Sequence, residues 1–426
     1  MQCVSTRGGS TATLTEAMTR GLAPDGGLYV VDPLPRTANF PPTGTLHQRS
    51  VDLLRPFFYG EALGGQLDPI VKAAFDFDAP TRWLDDRTGL LELFHGPTAA
   101  FKDFGARFLA ECLTRISSRA MTVLVATSGD TGAAVASAFH RRDGVKVVVL
   151  YPDGRVSQRQ AHTLGSFGEN VTAYKVRGTF DDCQRMVKAA FASIALRNLG
   201  LTSANSISLG RLLPQVCYYA HASLAAQAAL KQPVNFIVPT GNLGNGFACL
   251  LARKLGLPIG EVVLATNANR VLPDYLTSGD YRPRESIATL ANAMDVGAPS
   301  NLERLRHLFT EPAHEVRSQW VDDEAIKRTI GSVYQSEGVA LCPHTACGYE
   351  VLNRLRAAGD TRRWIVVATA HPAKFEEVVE PVIGRKLEVP APLQALLDRP
   401  SEALPLEPEP GALVAALSRG PGAPRS

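Results

Sequence analysis

Lys102 stands between Phe101 and Phe104, just after a Gly96-Pro97-Thr98 turn and at the start of a helical pattern that runs through Arg107-Phe108-Leu109-Ala110. Partial burial by apolar rings and the positive end of a helix both disfavour an ammonium. The amine of a lysine in such a place is free to attack a carbonyl. The same pattern also fits a surface lysine whose stem covers apolar neighbours, so the choice rests on what the rest of the chain offers to that amine.

Four other stretches are suited to it. Gly241-Asn242-Leu243-Gly244-Asn245-Gly246 follows an apolar run and opens a helical pattern, and its glycines let backbone amides close on an oxyanion. It is neither the Walker nor the dinucleotide pattern, because no Lys-Ser/Thr follows and the glycine spacing differs. Thr127-Ser128-Gly129-Asp130-Thr131-Gly132 and Thr369-Ala370-His371-Pro372-Ala373-Lys374-Phe375 end two more apolar runs. Ser203-Ala204-Asn205-Ser206-Ile207-Ser208-Leu209-Gly210-Arg211 sets amide and hydroxyl donors ahead of an arginine at a helix start, which suits a phosphate. Taken singly, each has a plainer explanation: a tight turn that binds nothing, a helix N-cap, or a capping loop with an exposed arginine. Together they fit one chemistry, with a lysine to form an imine, a glycine-rich cradle for a cofactor phosphate and hydroxyl loops around a ring. That is the equipment of a pyridoxal-phosphate enzyme.

The elements that position these residues alternate. Met121–Ala126, Val145–Leu150, Val171–Val176, Val234–Val238, Glu261–Thr266 and Trp364–Ala368 are apolar, β-branched runs, as expected of strands buried on both faces. Helical patterns separate them: Ala133–Phe139, Gln158–Leu164, a longer one from Asp181 towards Leu199, Phe247–Arg253, Glu324–Ser336 and Ala346–Ala357. This βα alternation predicts parallel sheets covered by helices, with ligands at the carboxyl ends of the strands. Residues 1–90 read as a small leading domain, with a capped helix start at Thr13-Leu14-Thr15-Glu16, a Pro-rich loop from Pro33 to Gly44 and a helix near Ser50–Tyr59. Residues 91–230 then form a smaller α/β domain with the lysine, and 231–390 a larger one with the cradle. Residues 391–426, rich in proline, are expected to be a weakly ordered tail.

Composition removes other classes. The 426 residues are 45% hydrophobic and 20% charged, with 44 basic against 41 acidic side chains and a net charge of +3. Neither a basic run for nucleic acid nor an apolar run of membrane-spanning length is present. Seven scattered cysteines suit reduced thiols in a cytoplasmic protein. Cys342-Pro343-His344-Thr345-Ala346-Cys347 matches no common zinc spacing, and no metal is expected.

From about residue 1 to 385 the chain resembles the threonine synthases of the longer bacterial and fungal type, relatives of tryptophan synthase β, threonine dehydratase and cysteine synthase. The resemblance rests on the leading Ser5-Thr6-Arg7-Gly8 and Gly21–Tyr29 stretches, His95–Asp103, Thr127–Gly132, Ser203–Arg211, Gly241–Asn245, Asn292–Val296 and Thr369–Phe375, in the family's order. It implies fold type II: two parallel-type sheet domains with the active site between them, plus a small N-terminal domain. It implies that Lys102 binds pyridoxal 5′-phosphate covalently and that Gly241, Asn242, Leu243, Gly244 and Asn245 cradle the cofactor phosphate. Thr369 would meet the pyridine nitrogen. Ser128, Gly129 and Thr131 would grip the substrate α-carboxylate, with Asp130 beside the cofactor's ring hydroxyl. Asn205, Ser206 and Arg211 would hold the substrate's own phosphate. Relatives often read Gly-Asn-Phe-Gly-Asp at the cradle, where this chain has Leu243 and Asn245, and more distant ones carry asparagine in place of Asp130.

The implied reaction is a β,γ-replacement that turns O-phospho-L-homoserine and water into L-threonine and phosphate, with Lys102 as the proton carrier. A phospho-lyase giving 2-oxobutanoate, phosphate and ammonia is the nearer alternative, and a non-catalytic module that binds cofactor or phospho-amino acids the more distant one. The small-molecule substrate is the one partner expected, with neither nucleic acid nor membrane, for a monomer or homodimer.

Overall fold

The computed structural model describes residues 1–36, 41, 43–117 and 119–419. In chain order its strands are β1 (Gln2–Ser5), β2 (Thr11–Thr13), β3 (Tyr29–Val31), β4 (Thr81–Trp83), β5 (Thr88–Glu92), β6 (Met121–Ala126), β7 (Val145–Pro152), β8 (Val171–Val176), β9 (Leu201–Ser203), β10 (Val234–Pro239), β11 (Ile259–Thr266), β12 (Arg317–Trp320), β13 (Trp364–Ala368) and β14 (Leu404–Leu406). The apolar runs became central strands, with every residue of β6, β10 and β13 buried. A strand covered by helices on both faces has no polar side to alternate with.

Three sheets result. An antiparallel sheet β2-β1-β3 leads the chain, a five-stranded sheet runs in the order β14-β8-β7-β6-β9, and a six-stranded one runs β12-β11-β10-β13-β5-β4. Every pairing in the two larger sheets is parallel except β4 with β5. Between the sheets lies the helix Leu209–Leu230, packed against the helices Lys102–Ile116 and Gly244–Lys254. Its buried residues run almost continuously from Leu209 to Tyr219, so no wide polar stripe faces water there.

The sheets correct several expectations. β4 and β5 precede the lysine helix yet belong to the six-stranded sheet, because β5 pairs in register with β13 from Thr88 opposite Trp364 to Glu92 opposite Ala368. The boundary expected at residue 90 therefore cuts through a strand. The helix expected from Asp181 to Leu199 covers Phe180–Ala192; Ser193 leaves the helical conformation (ψ 123°), and a 3₁₀ turn follows over Ile194–Leu199. The expected tail is largely folded. The helix Ala391–Leu397 precedes β14, which pairs parallel with the β8 edge, and the helix Pro410–Arg419 packs on Phe180–Ala192. Pro-rich composition does not prevent an edge strand when proline's missing N–H points away from the ladder. Gly420–Ser426, and part of the loop expected over Pro33–Gly44, lie outside the described residues. Among the described residues no helix is long and apolar enough to cross a membrane, and all seven cysteines are free and buried.

Candidate active site

Lys102 is the first residue of its helix. The turn before it is fixed on both sides. The Asp103 carboxylate accepts from Thr98 N at 2.9 Å and Thr98 Oγ1 at 2.6 Å. Phe101 N donates to Thr369 O at 2.8 Å, and His371 N to Ala99 O at 3.0 Å, so the turn is stitched to the chain leaving β13. Lys102 Nζ lies 5.7 Å from the Phe101 ring centre and has no hydrogen bond or ion pair among the described residues. Burial lowers its pKa to about 8; the Asp130 carboxylate pulls it back up, and Arg211 and Lys374 push it further down. A lysine with a pKa there keeps a useful fraction of free amine near neutrality.

The amine opens onto a cavity of about 590 Å³. Across it stands the turn after β10. Leu243 takes a left-handed φ of 63°, a conformation that costs a non-glycine residue about 1 kcal/mol. That twist starts the helix Gly244–Lys254 with no side chain capping its first turn, which leaves the backbone N–H groups there open to an anion. Gly241 permits a close approach: a Cβ on it would lie 2.7 Å from Met294 Cα. Asn242 is held from three directions. It accepts from Asn301 Nδ2 at 2.8 Å through its carbonyl and from Ser300 N at 2.6 Å through Oδ1, and its Nδ2 donates to Ser206 Oγ at 2.7 Å. Asn245 Oδ1 accepts from both Tyr218 and Tyr219 hydroxyls, at 2.6 and 2.8 Å. The amide serves as that acceptor as an acid would, but its Nδ2 is left buried with no partner among the described residues.

The turn after β6 is wound around Thr127, whose Oγ1 accepts from Gly129 N at 3.0 Å and Gly132 N at 2.9 Å. Asp130 begins the next helix, and the acid near a carboxylate site has its counter-charge. Lys374 Nζ lies 2.7 Å from Asp130 Oδ1, and Gln160 Nε2 donates to the same oxygen at 2.9 Å. Burial alone would raise the Asp130 pKa, but Lys374, Lys102 and the Lys374 hydrogen bond more than reverse that and hold it well below the usual carboxylate range. Lys374 also donates to Thr98 O at 2.7 Å, and Asn292 Nδ2 reaches Gln160 Oε1 at 3.0 Å. The 127–131 turn is thereby tied to the opposite wall.

In the stretch before Leu209–Leu230, Arg211 is buried and donates to Ala204 O at 2.5 Å, while its Nε, Asn205 Oδ1 and Ser208 Oγ have no partner. Burial lowers the guanidinium pKa to about 10, with Asp103 opposing the fall, so it stays charged. Orphaned buried polar atoms, two of them donors and one the acceptor Asn205 Oδ1, are costly unless a ligand meets them. Together with the open helix terminus and the free amine, they fit a cofactor that carries an aldehyde and a phosphate.

Lys102, Ser128, Asp130, Thr131, Asn205, Ser206, Arg211, Gly241 to Asn245 and Thr369 all line this one cavity. Gly129 sits behind the wall, with φ 123° and a Cβ position 2.6 Å from Gln160 Nε2. Lys374, Gln160, Arg304 and His344 also shape the site, and neither residue type nor spacing marks them in the sequence. Lys374 lay in a quoted motif, but its pairing with Asp130 is a contact across 244 positions that no local pattern announces. His344 lines the cavity; its Nε2 accepts from Ala293 N at 3.1 Å, and burial lowers its pKa to about 4, so it holds the 291–296 loop as a neutral ring. Cys342 caps the helix Pro343–Ala357 through Thr345 N, which gives that Cys-Pro-His stretch its structural use.

The chain is similar to known proteins over nearly its whole length. Residues 90–372 match the family described as pyridoxal-phosphate dependent enzyme, 2–75 the threonine synthase N terminus and 345–416 the threonine synthase C-terminal family. A threonine synthase of Haemophilus influenzae is 42% identical over 388 residues, 89% of this chain and 91% of that protein. The solved threonine synthase of Escherichia coli superposes with a TM-score of 0.91 at 38% identity, covering 98% of this chain and 100% of that one. The pyridoxal-phosphate-bound threonine synthase of Brucella melitensis follows at 0.88 and 33%, covering 98% and 99%.

Proposed function

The chain belongs to the threonine synthase family, its cofactor is pyridoxal 5′-phosphate, and we propose that the cavity converts O-phospho-L-homoserine and water to L-threonine and phosphate through the residues named above. The observation that carries this reading is the unpartnered Lys102 amine facing an uncapped helix N-terminus across one cavity.

Bound there, pyridoxal phosphate supplies the electron sink that makes protons at the substrate's Cα and Cβ removable. Lys102 would be its covalent attachment and the proton carrier at the substrate. Its Nζ takes protons at Cα and Cβ, returns one at Cγ after phosphate has left and the other at Cα once water has added at Cβ, which a pKa of about 8 allows in both directions. The amides from Gly241 to Asn245 would hold the cofactor phosphate, and Thr369 would meet the pyridine nitrogen, where a hydroxyl would leave that nitrogen less protonated than a carboxylate does. Ser128 and Thr131 orient the α-carboxylate, Gly129 supplies the backbone twist behind them, and Asp130 stays ionised beside Lys102. Asn205, Ser206 and Arg211 receive the substrate phosphate. Lys188 and Arg306 at the rim add positive charge on the path of a dianionic substrate, while Arg7 and Arg20 there are paired with Glu303 and Glu16. Seven buried thiols favour a reducing, cytoplasmic setting, for a monomer or homodimer.

The test is incubation with O-phosphohomoserine, measuring threonine, 2-oxobutanoate and phosphate together. Threonine and phosphate in equal amounts are expected, and 2-oxobutanoate in their place would establish the lyase reading. Lys102→Ala should lose the cofactor's bound-state absorbance and all phosphate release; full turnover by that variant would sink the assignment.

A further inference from the structure

A buried guanidinium with no carboxylate partner lies behind both phosphate loops. Arg304 is fully buried. Its Nε and Nη2 donate to Tyr29 O at 3.0 and 2.9 Å, Nη2 also to Ile207 O at 2.6 Å, and Nη1 to Asn301 Oδ1 at 2.6 Å. Those acceptors belong to three separate parts of the chain: strand β3, the 203–208 loop and the start of the helix Leu302–Leu308. From Asn301 the chain of bonds continues into the cradle. Asn301 Nδ2 donates to Asn242 O, and Asn242 Nδ2 donates to Ser206 Oγ, which returns to the 203–208 loop. The circuit Arg304–Asn301–Asn242–Ser206–Ile207 is closed. One side of it carries the residues assigned to the substrate phosphate, and the other carries the amides assigned to the cofactor phosphate.

We propose that Arg304 is a positioning residue which sets the separation of the 205–206 loop and the 241–245 cradle, and so determines how well the site holds two phosphate groups at once. The inference rests on the proposed function, which requires two phosphates in one cavity. The geometry favours arginine over any other side chain. A planar fork satisfies acceptors in three directions without moving, whereas a lysine presents three donors from one point and cannot span them. The two loops touch directly through Asn242 Nδ2 and Ser206 Oγ at 2.7 Å, so a small shift of either moves its phosphate site against the other. Burial lowers the Arg304 pKa to about 9, with Cys3 and Glu303 opposing, so the charge persists near neutrality and adds a fixed positive field behind both loops. The contact with Tyr29 O also makes the leading sheet part of the assembly that shapes the site.

The experiment compares wild type, Arg304→Lys, Asn301→Ala and the double variant. Pyridoxal phosphate is titrated into cofactor-free protein with no substrate present, and KM and kcat are measured separately for O-phosphohomoserine. Loss of one such buried bond corresponds to roughly a five- to tenfold change in an equilibrium constant. Both single variants should raise the cofactor Kd and the substrate KM together by about that factor, with kcat within about twofold, and the double variant should be little worse than the singles because they break one circuit. Arg304→Lys keeps the charge, so a loss there assigns the effect to geometry. If it does not fold, Asn301→Ala, which leaves the guanidinium in place, carries the test. A lowered melting temperature with Kd and KM unchanged would overturn the proposal, as would a rise in one constant without the other. Wild-type protein that binds cofactor but leaves O-phosphohomoserine intact would overturn the functional reading alone, and the cofactor titration would still judge Arg304.

Discussion

Replacing Lys102 by methionine should make the cofactor-free protein more stable, and by an amount that depends on pH in a set direction. In the fold the Lys102 amine titrates at about 8, against an ordinary value of 10.5. Below pH 8 both folded and unfolded chains carry the proton, and the folded chain bears the full cost of holding an ammonium in the cavity wall. Between about 8 and 10.5 the unfolded chain binds a proton that the folded chain has released, so stability rises with pH and the cost disappears. Each pKa unit corresponds to 1.36 kcal/mol, which sets the cost at about 3 kcal/mol, reduced towards about 1 by water in the cavity. Methionine keeps the length and apolar stem without the charge. Urea midpoints of cofactor-free wild type and Lys102→Met, taken at pH 6, 7, 8 and 9.5, measure the difference. The variant should lead by about 1–3 kcal/mol at pH 6 and 7, keep about two fifths of that lead at pH 9.5 and lose it only above about pH 10.5. Adding pyridoxal phosphate at a hundred times its Kd should stabilise wild type by about 2.7 kcal/mol and the variant by much less. Equal midpoints at pH 7, or a difference that does not vary with pH, would refute the account of Lys102 as a buried amine held against its preference.

Two further outcomes follow from the walls of the cavity. Lys374→Met leaves Asp130 buried without its counter-charge and should cost about 3–5 kcal/mol, whereas the double variant Lys374→Met/Asp130→Asn should recover most of the loss; additive costs in a denaturation cycle would contradict the pairing. Gly129→Ala adds a Cβ 2.6 Å from Gln160 Nε2 at a φ of 123°. Because Gln160 is pinned by Ser157, Asp130 and Asn292, it cannot yield, so a destabilisation of about 1–3 kcal/mol is expected by urea unfolding, and a neutral result would show that the turn relaxes freely.

Central strands other than β5, and the loops at their ends, were legible because the signals are local. A run such as Val123-Leu124-Val125 has one physical reading when helices cover both faces, and Gly241–Gly246 announces a turn through residue type alone. Edge strands were not legible. Arg317-Ser318-Gln319-Trp320 and Leu404-Pro405-Leu406 are short and half-exposed, and their partners β11 and β8 lie far off in sequence. The site divided in the same way. Lys102 and the cradle were found from their own neighbours, but Lys374 and Arg304 take their meaning from Asp130, Asn301, Tyr29 and Ile207, which only the fold brings near. Asp130 shows the cost of that blindness: by sequence it stood as an unexplained acid beside a carboxylate site, and its lysine was hidden in a motif chosen for another residue.

The strand β14 carries a consequence for how the protein is made. On the ribosome β8 emerges long before Leu404–Leu406 exists, so the outer edge of the five-stranded sheet stays unpaired, and the helix Phe180–Ala192 uncovered on one side, while β10 to β13 of the six-stranded sheet are being made. That helix lines one side of the cavity and gains its outer cover only afterwards. A chain that stops short of β14 presents an open sheet edge, the surface through which nascent proteins aggregate and by which a cell's proteases find them.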